Sequence, residues 1–206
     1  MIDPLTLATF IPGALALNLT PGADMVFCLG QGLRGGPRAA LAADAGIAIG
    51  CMVHVTLAGV GLGALVAAHP AAFDAIRWAG VGYLLWLALR SLRAGPMDAR
   101  PGAALAPGRA FWQGLAVNLL NPKVILFVLA FLPQFVDPAR PILPQFLILG
   151  TVIAVGGLVV NGAVGVLAGG IGARLARSPA LARALGRVTA VIFVGLAVRL
   201  ALMQKG

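Results

Sequence analysis

Two proline-containing segments, about a hundred residues apart, interrupt long apolar stretches of the chain. The first reads N-L-T-P-G-A-D around Pro21, and the second reads N-L-L-N-P-K around Pro122. Proline lacks a backbone donor and clashes with the preceding turn, so a helix breaks or kinks at each position. Paired breaks at corresponding positions of two halves are typical of the binding site of a secondary transporter. The two segments therefore predict a site for a small transported molecule.

The side chains at the two breaks could bind a zwitterion. Aligned on the prolines, Thr20 falls opposite Asn121 and Gly22 opposite Lys123, while Asp24 follows the first break. A half-helix that starts after each proline would offer unpaired N–H groups to a carboxylate, and Thr20 and Asn121 could cap these starts. Asp24 and Lys123 could form a buried ion pair that fixes the two halves, or could receive the ammonium and carboxylate groups of a substrate. We predict these five residues as the substrate-binding site.

Two further ionisable residues in apolar surroundings are candidates for coupling or gating. Asp44 lies near the start of the second predicted helix, where it could pair with Arg34 or Arg38 at the surface, or act as a gate or proton carrier. His54 lies deeper in the same helix. It could be a hydrogen-bonded core residue or a proton relay, since histidine titrates near neutral pH.

The composition is that of an integral membrane protein. Of 206 residues, 60% are hydrophobic and only 10% are charged, whereas soluble proteins carry about 25% charged residues. The mean hydropathy is +0.99, and the apolar stretches exceed the roughly 18 residues that indicate a transmembrane helix. The net charge of +9 comes from arginines between these stretches, which suits lipid headgroups rather than nucleic acid.

No motif indicates an enzyme, a cofactor or a metal site. The sequence lacks H-E-x-x-H, G-x-S-x-G and Walker loops, so neither chemistry on a substrate nor direct use of ATP is expected. The two cysteines, Cys28 and Cys51, lack a C-x-x-C spacing, which favours buried inert thiols.

The hydrophobic pattern predicts an all-α membrane protein with six transmembrane helices in a single domain, residues 1–206. The helices are expected near residues 5–33, 39–67, 72–92, 110–135, 142–172 and 180–203. A Gly/Pro/Arg-rich cytoplasmic linker at 94–109 separates repeat one (1–93) from repeat two (110–206). Because three helices are an odd number, the second triplet enters the membrane from the opposite side, which gives an inverted repeat whose first helices are broken.

The arginines predict the orientation of the chain. They concentrate in the first, third and fifth connections between the predicted helices and are sparse in the second and fourth. Because cytoplasmic loops are enriched in positive residues, both termini are expected outside the cell.

Several blocks in the first 136 residues resemble the LysE-type amino-acid translocators, specifically the RhtB-like homoserine/threonine-efflux branch. They read L-T-P-G-A-D-M-V-F, R-G-G-P-R-A-A-L, G-I-A-I-G-C-M-V-H, W-A-G-V-G-Y-L-L-W-L, and F-W-Q-G-L-A-V-N-L-L-N-P-K-V-I-L-F followed by F-L-P-Q-F-V. The resemblance implies an exporter of amino acids or similar small zwitterions in the bacterial inner membrane, driven by the proton motive force. Two positions depart from the family pattern: Ala23 stands where a proline often follows T-P-G, and Cys51 where many relatives carry an acidic residue.

Two other functions fit the sequence less well. A membrane thiol–disulfide carrier with six helices would need one reactive cysteine in the first helix of each triplet, whereas Cys28 and Cys51 both fall in the first triplet. A non-transporting scaffold would not need opposite charges at midplane depth. Glycines spaced four apart, such as Gly46 and Gly50, indicate close helix packing within one chain or across a homo-oligomer interface.

Overall fold

The structure, a computed structural model, describes residues 2–68, 72–93, 104–169 and 178–202, and these residues are helical with short connections and no strand. Seven α-helices lie in this part of the chain: α1 (Pro4–Leu19), α2 (Ala23–Ala68), α3 (Ala72–Leu92), α4 (Pro107–Leu119), α5 (Pro122–Ala130), α6 (Ile142–Val166) and α7 (Pro179–Leu202). A short 3₁₀ helix, Leu132–Phe135, follows α5. Most of the predicted linker, the end of the predicted fifth helix and the last four residues lie outside the described ranges.

Both predicted breaks are present. Helix α1 ends at Leu19 and α2 begins at Ala23, so the three residues around Pro21 are not helical. Helix α4 ends at Leu119 and α5 begins with Pro122 as its first residue. The second pair of half-helices, α4 with α5 and its 3₁₀ extension, is bent by 53°. The missing donor of each proline accounts for both interruptions.

The first predicted connection, residues 34–38, is not a loop. Helix α2 runs through it with a single non-helical residue, Gly36, at φ 72° and ψ −172°. Glycine reaches positive φ without a steric penalty, and Pro37 then starts the next helical segment in the position where its missing N–H is not needed. The predicted helices 5–33 and 39–67 are therefore joined by one residue, a correction to the sequence-based boundaries.

The described helices include three that are long and apolar enough to cross a membrane: Ala23–Leu62 within α2, α6 and α7. The bent pair of α4 and α5 with its 3₁₀ extension would be a fourth if it is one span. Helix α1 is apolar but shorter than a span, and α3 matches the predicted helix at 72–92. By length and composition alone, the described residues thus contain three or four spans, fewer than the six predicted.

The outer surface is apolar. Large hydrophobic side chains are exposed on several helices, for example Trp112 at 67%, Leu120 at 80% and Val191 at 72%. Such a surface is costly in water and suits contact with lipid chains. Together with the apolar spans, it is the surface of a multi-pass membrane protein.

Helix α2 lies at the centre and packs along both α4 and α6, while α3 packs along α7. Glycines permit the closest approaches. Gly46 of α2 lies against the backbone of Phe111 in α4, and Gly114 of α4 lies against the backbone of Ala43. These glycines therefore pack within the chain, which holds α2 and α4 in close contact and brings the two breaks side by side.

Candidate functional site at the two helix breaks

The two breaks meet at the side chain of Lys123. From the first turn of α5, its Nζ donates hydrogen bonds to the carbonyl oxygens of Leu17 at 3.0 Å and Thr20 at 2.8 Å. The Leu17 carbonyl lacks a helical partner because the residue four positions on is Pro21, which has no N–H. Lys123 is only 8% exposed, so its charge is held almost entirely by the unwound end of α1.

Asp24, in the first turn of α2, is bound by a different partner. Its Oδ2 accepts a hydrogen bond of 2.9 Å from Nδ2 of Asn118 in α4. The carboxylate does not pair directly with Lys123, which is committed to the two carbonyls. A direct buried ion pair, one of the two interpretations of the sequence, is therefore not formed. Asp24 Oδ1 and Asn118 Oδ1 are both buried without a hydrogen-bond partner.

One of the two predicted caps is confirmed. Asn121 caps α5, because its Oδ1 accepts from the backbone N–H of Lys123 at 3.1 Å. Thr20 does not cap α2. Its hydroxyl donates to the carbonyl of Ala16 at 2.6 Å, since a threonine at the end of a helix finds an acceptor four residues back. Thr20 takes part in the site through its backbone carbonyl instead.

The two half-helix starts differ in the donors they offer. Every N–H of the first turn of α5 is already bonded to Asn121, through its side chain or its carbonyl. In α2 the first helical hydrogen bond runs from Val26 N–H to Gly22 O, so the N–H groups of residues 23–25 have no helical partner. The unpaired N–H groups expected at both starts are therefore absent at α5, whereas those at the start of α2 have no helical partner. Anion binding at the breaks stays a prediction.

Asp24, Asn118 and Lys123 line one cavity of about 30 Å³. Its other walls come from α1, α2, α5 and α6. Apart from Asn18 and Asn161 they are apolar: Leu17, Met25, Ile47, Ala48, Cys51, Val124, Ile153, Ala154, Gly157 and Leu158. Gly22 faces the end of the lysine, and a side chain there would meet Nζ. The volume is on the scale of one or two water molecules, so this conformation is closed around the polar groups.

Several groups at the site were not predicted from the sequence as binding residues. Asn118 joins Asp24, and the hydroxyl of Tyr83 donates to the carbonyl of Lys123 at 2.7 Å. Asn118 was recognisable as a polar residue of the second break, whereas nothing in the local pattern marked Tyr83, the single tyrosine of the chain. His54, half-buried in α2, donates from Nε2 to the carbonyl of Asn118 at 3.2 Å and so contacts the site indirectly.

Asp44 lies apart from the break residues and is not at the surface. It is 1% exposed. The side-chain amide of Asn161 in α6 lies beside its carboxyl group, although neither carboxyl oxygen has a partner in hydrogen-bonding geometry. The predicted pairing with Arg34 or Arg38 is absent, because Asp44 faces α6 while the Arg34 guanidinium folds back against Gly30. The neighbour in α6 is Gly162, where a methyl group would stand 2.9 Å from Asp44 Oδ2. The carboxyl thus occupies space that a glycine leaves open.

Comparison with known proteins identifies the family. The chain is 37% identical over 180 residues to a homoserine/homoserine lactone efflux protein of Salmonella typhimurium, covering 86% of this chain and 87% of the relative. It is 32% identical over 202 residues to a leucine efflux protein of Klebsiella pneumoniae, covering 96% and 95%. A membrane protein of Vibrio cholerae is 37% identical over 191 residues, covering 91% and 92%.

No solved structure matches the chain. The sequence profile of the LysE type translocators matches residues 15–204. This confirms the resemblance drawn from the sequence blocks, and it also confirms a transport protein rather than an enzyme. The chain belongs to the LysE type translocator family.

Proposed function

We propose that the chain exports small zwitterionic amino acids across the bacterial inner membrane and binds them between the two helix breaks. The observation that carries this proposal is the cavity in which Asp24 and Lys123, opposite in charge, are both buried but not paired with each other. A zwitterion needs two such charges at a separation that it can bridge. The names of the Salmonella and Klebsiella relatives, homoserine and leucine efflux proteins, support an amino-acid cargo.

The free hydrogen-bonding capacity of the site suggests how a substrate binds. Asp24 Oδ1 and Asn118 Oδ1 are buried acceptors without partners, and they suit the donors of a substrate ammonium group. Lys123 Nζ has three N–H donors, of which two are used. The third, with the free N–H groups at the start of α2, suits the substrate carboxylate. Because the cavity is smaller than an amino acid, its walls separate when the substrate enters.

Within this proposal, the helices form six spans in an inverted repeat. The 40-residue stretch Ala23–Leu62 is about twice the length that crosses a bilayer, so Gly36 divides it into two spans. The part before Gly36 completes a broken first span with α1, as α5 does with α4. Asn18 donates to the Ile153 carbonyl of α6 at 3.1 Å, and Asn118 packs against Gly50 of α2. Each break is thus preceded by an asparagine that contacts the second span of the other repeat.

The proposed orientation places both termini outside the cell, because the arginine-rich connections lie on the cytoplasmic side. Rocking of one triplet against the other would then expose the site to each side in turn. An alkaline phosphatase fused to the C-terminus is expected to be active. An inactive fusion on a protein that still exports would refute this orientation.

We further propose that the proton motive force drives export and that Asp44 carries the coupling proton. An ionised carboxyl group that is buried without a positively charged partner is costly, and intramembrane acids of this kind serve as proton carriers in transporters. Asn161, a wall residue of the cavity, lies beside the Asp44 carboxyl and links the two sites. His54 is the second candidate, through its hydrogen bond to the backbone of Asn118.

The cargo is tested directly by efflux. Bacteria that lack related exporters are loaded with labelled homoserine or leucine, and loss of label is compared with and without expression of the chain. Faster loss of at least one amino acid, together with resistance to its toxic analogues, is expected. If expression protects against no amino acid in a broad panel while the protein is present in the inner membrane, the proposed function is wrong.

A further inference from the structure

The ammonium group of Lys123 occupies a binding site made of main-chain carbonyls. Its two acceptors, the carbonyls of Leu17 and Thr20, lie at the C-terminal end of α1 at 3.0 and 2.8 Å. Pro21 leaves the first of these without a helical partner, and a helix C-terminus carries partial negative charge. The Asp24 carboxylate adds further electrostatic attraction for a positive charge at this point.

Carbonyls exposed by an unwound helix, together with the end of the half-helix, are the groups that bind monovalent cations in broken-helix transporters. Here the same kind of site is filled by a side chain from the opposite break. Potassium and ammonium ions have the charge of the lysine head group and nearly its size. We propose that Lys123 is a built-in substitute for a bound monovalent cation, and that the carbonyl site binds free ammonium or potassium once the lysine side chain is removed.

The hydrogen bonds that position the backbone near the carbonyl site do not depend on the lysine side chain. The backbone of residue 123 is held by Asn121, which accepts from its N–H, and by Tyr83, which donates to its carbonyl at 2.7 Å. Neither bond involves the lysine side chain. Gly22 has no side chain, and a Cβ there would stand 3.0 Å from Nζ, so position 22 leaves the space next to the cation open. A truncated residue at 123 therefore leaves the carbonyls in place with room beside them.

The test measures the unfolding temperature of purified Lys123→Ala in chloride salts of ammonium, potassium and the bulky cation N-methyl-D-glucamine at equal ionic strength. Because a ligand that binds only the folded state stabilises it, ammonium and potassium are expected to raise the unfolding temperature by about 5 °C relative to N-methyl-D-glucamine. Lys123→Met is the matched control, since its side chain fills the same space without charge. Neither this control nor the wild type is expected to distinguish the three salts.

The inference is overturned if ammonium and potassium have no more effect than N-methyl-D-glucamine on Lys123→Ala, or if Lys123→Met responds equally. Should the alanine variant not fold, Lys123→Ser is extracted in each salt. Recovery of folded protein in ammonium or potassium alone supports the cation site, whereas failure in all three salts refutes it. These measurements contain no amino acid, so their result is independent of the proposed cargo.

Discussion

Replacement of Asp24 by Asn removes the negative charge from the cavity and keeps the size of the side chain, while one acceptor oxygen becomes an amide donor. In the proposed complex, the substrate ammonium would lose its charged partner while the neighbouring Asn118 still offers an acceptor. Removal of one partner of a buried charge pair costs about 2–5 kcal/mol. Because Asn118 Oδ1 remains as a neutral acceptor, we expect the lower end, which corresponds to a rise of roughly 30- to 100-fold in the half-saturating substrate concentration.

The fold should survive this substitution. The hydrogen bond from Asn118 to Asp24 Oδ2, 2.9 Å long, can persist to an amide oxygen, with a loss of about 1 kcal/mol as it becomes neutral. That loss is partly offset because a buried charge has been removed. The effect is therefore expected in substrate affinity rather than in the amount of folded protein.

The assay is concentration-dependent counterflow of labelled substrate in proteoliposomes. Asp3→Asn is the matched control, because it removes the same charge from an exposed residue. Asp3 caps α1 by accepting hydrogen bonds from the N–H groups of Leu5 and Thr6. Asparagine caps a helix equally well, so this variant should behave as the wild type. The proposed binding mode would be refuted if Asp24→Asn is inserted in normal amount and its half-saturating substrate concentration equals that of the wild type.

Three further substitutions test other parts of the structure. Asp44→Asn is expected to retain substrate exchange but to lose efflux driven by a pH gradient, whereas Asp137→Asn, at an exposed ion pair with a nearby arginine, should affect neither. Gly46→Ala places a methyl group against the α4 backbone and should lower the free energy of unfolding, measured by chemical denaturation, by about 1–3 kcal/mol. Gly61→Ala is its control on the same helix, where the space is open, and should be neutral or stabilising. Tyr83→Phe removes one hydrogen bond to the α5 backbone and is expected to cost about 0.5–1.5 kcal/mol in that measurement.

The sequence predicted the helix breaks because proline acts locally. The missing N–H of Pro21 and Pro122 removes a helical hydrogen bond at each position, and both interruptions are in the structure. Proline alone does not fix a break, however, since Pro12 lies inside α1 without ending it. The connection at Gly36 was not predicted, because the same Gly-Pro pattern is compatible with a loop or with one non-helical residue between two helices. Only the packing of the flanking segments decides between these.

The partners of the charged residues could not be predicted for a related reason. Composition showed that Asp24 and Lys123 are buried, but the sequence does not tell which main-chain carbonyls face a side chain from another helix. The lysine reaches carbonyls more than a hundred positions away. The surface pair that the sequence allowed for Asp44 is not formed, because the direction of its side chain depends on the contact between α2 and Gly162 of α6.

The single non-helical residue, Gly36, can act as a hinge about which the first part of α2 rotates as a rigid body. The segment from Ala23 to Gly35 is about 20 Å long, with a pivot of two backbone dihedrals at one end and the three-residue break around Pro21 at the other. A rotation of about 10° at the pivot would displace the far end by roughly 3.5 Å. A displacement of that size away from α4 would break the 2.9 Å hydrogen bond between Asp24 and Asn118. A small rotation at Gly36 is therefore enough to open the cavity at its charged end.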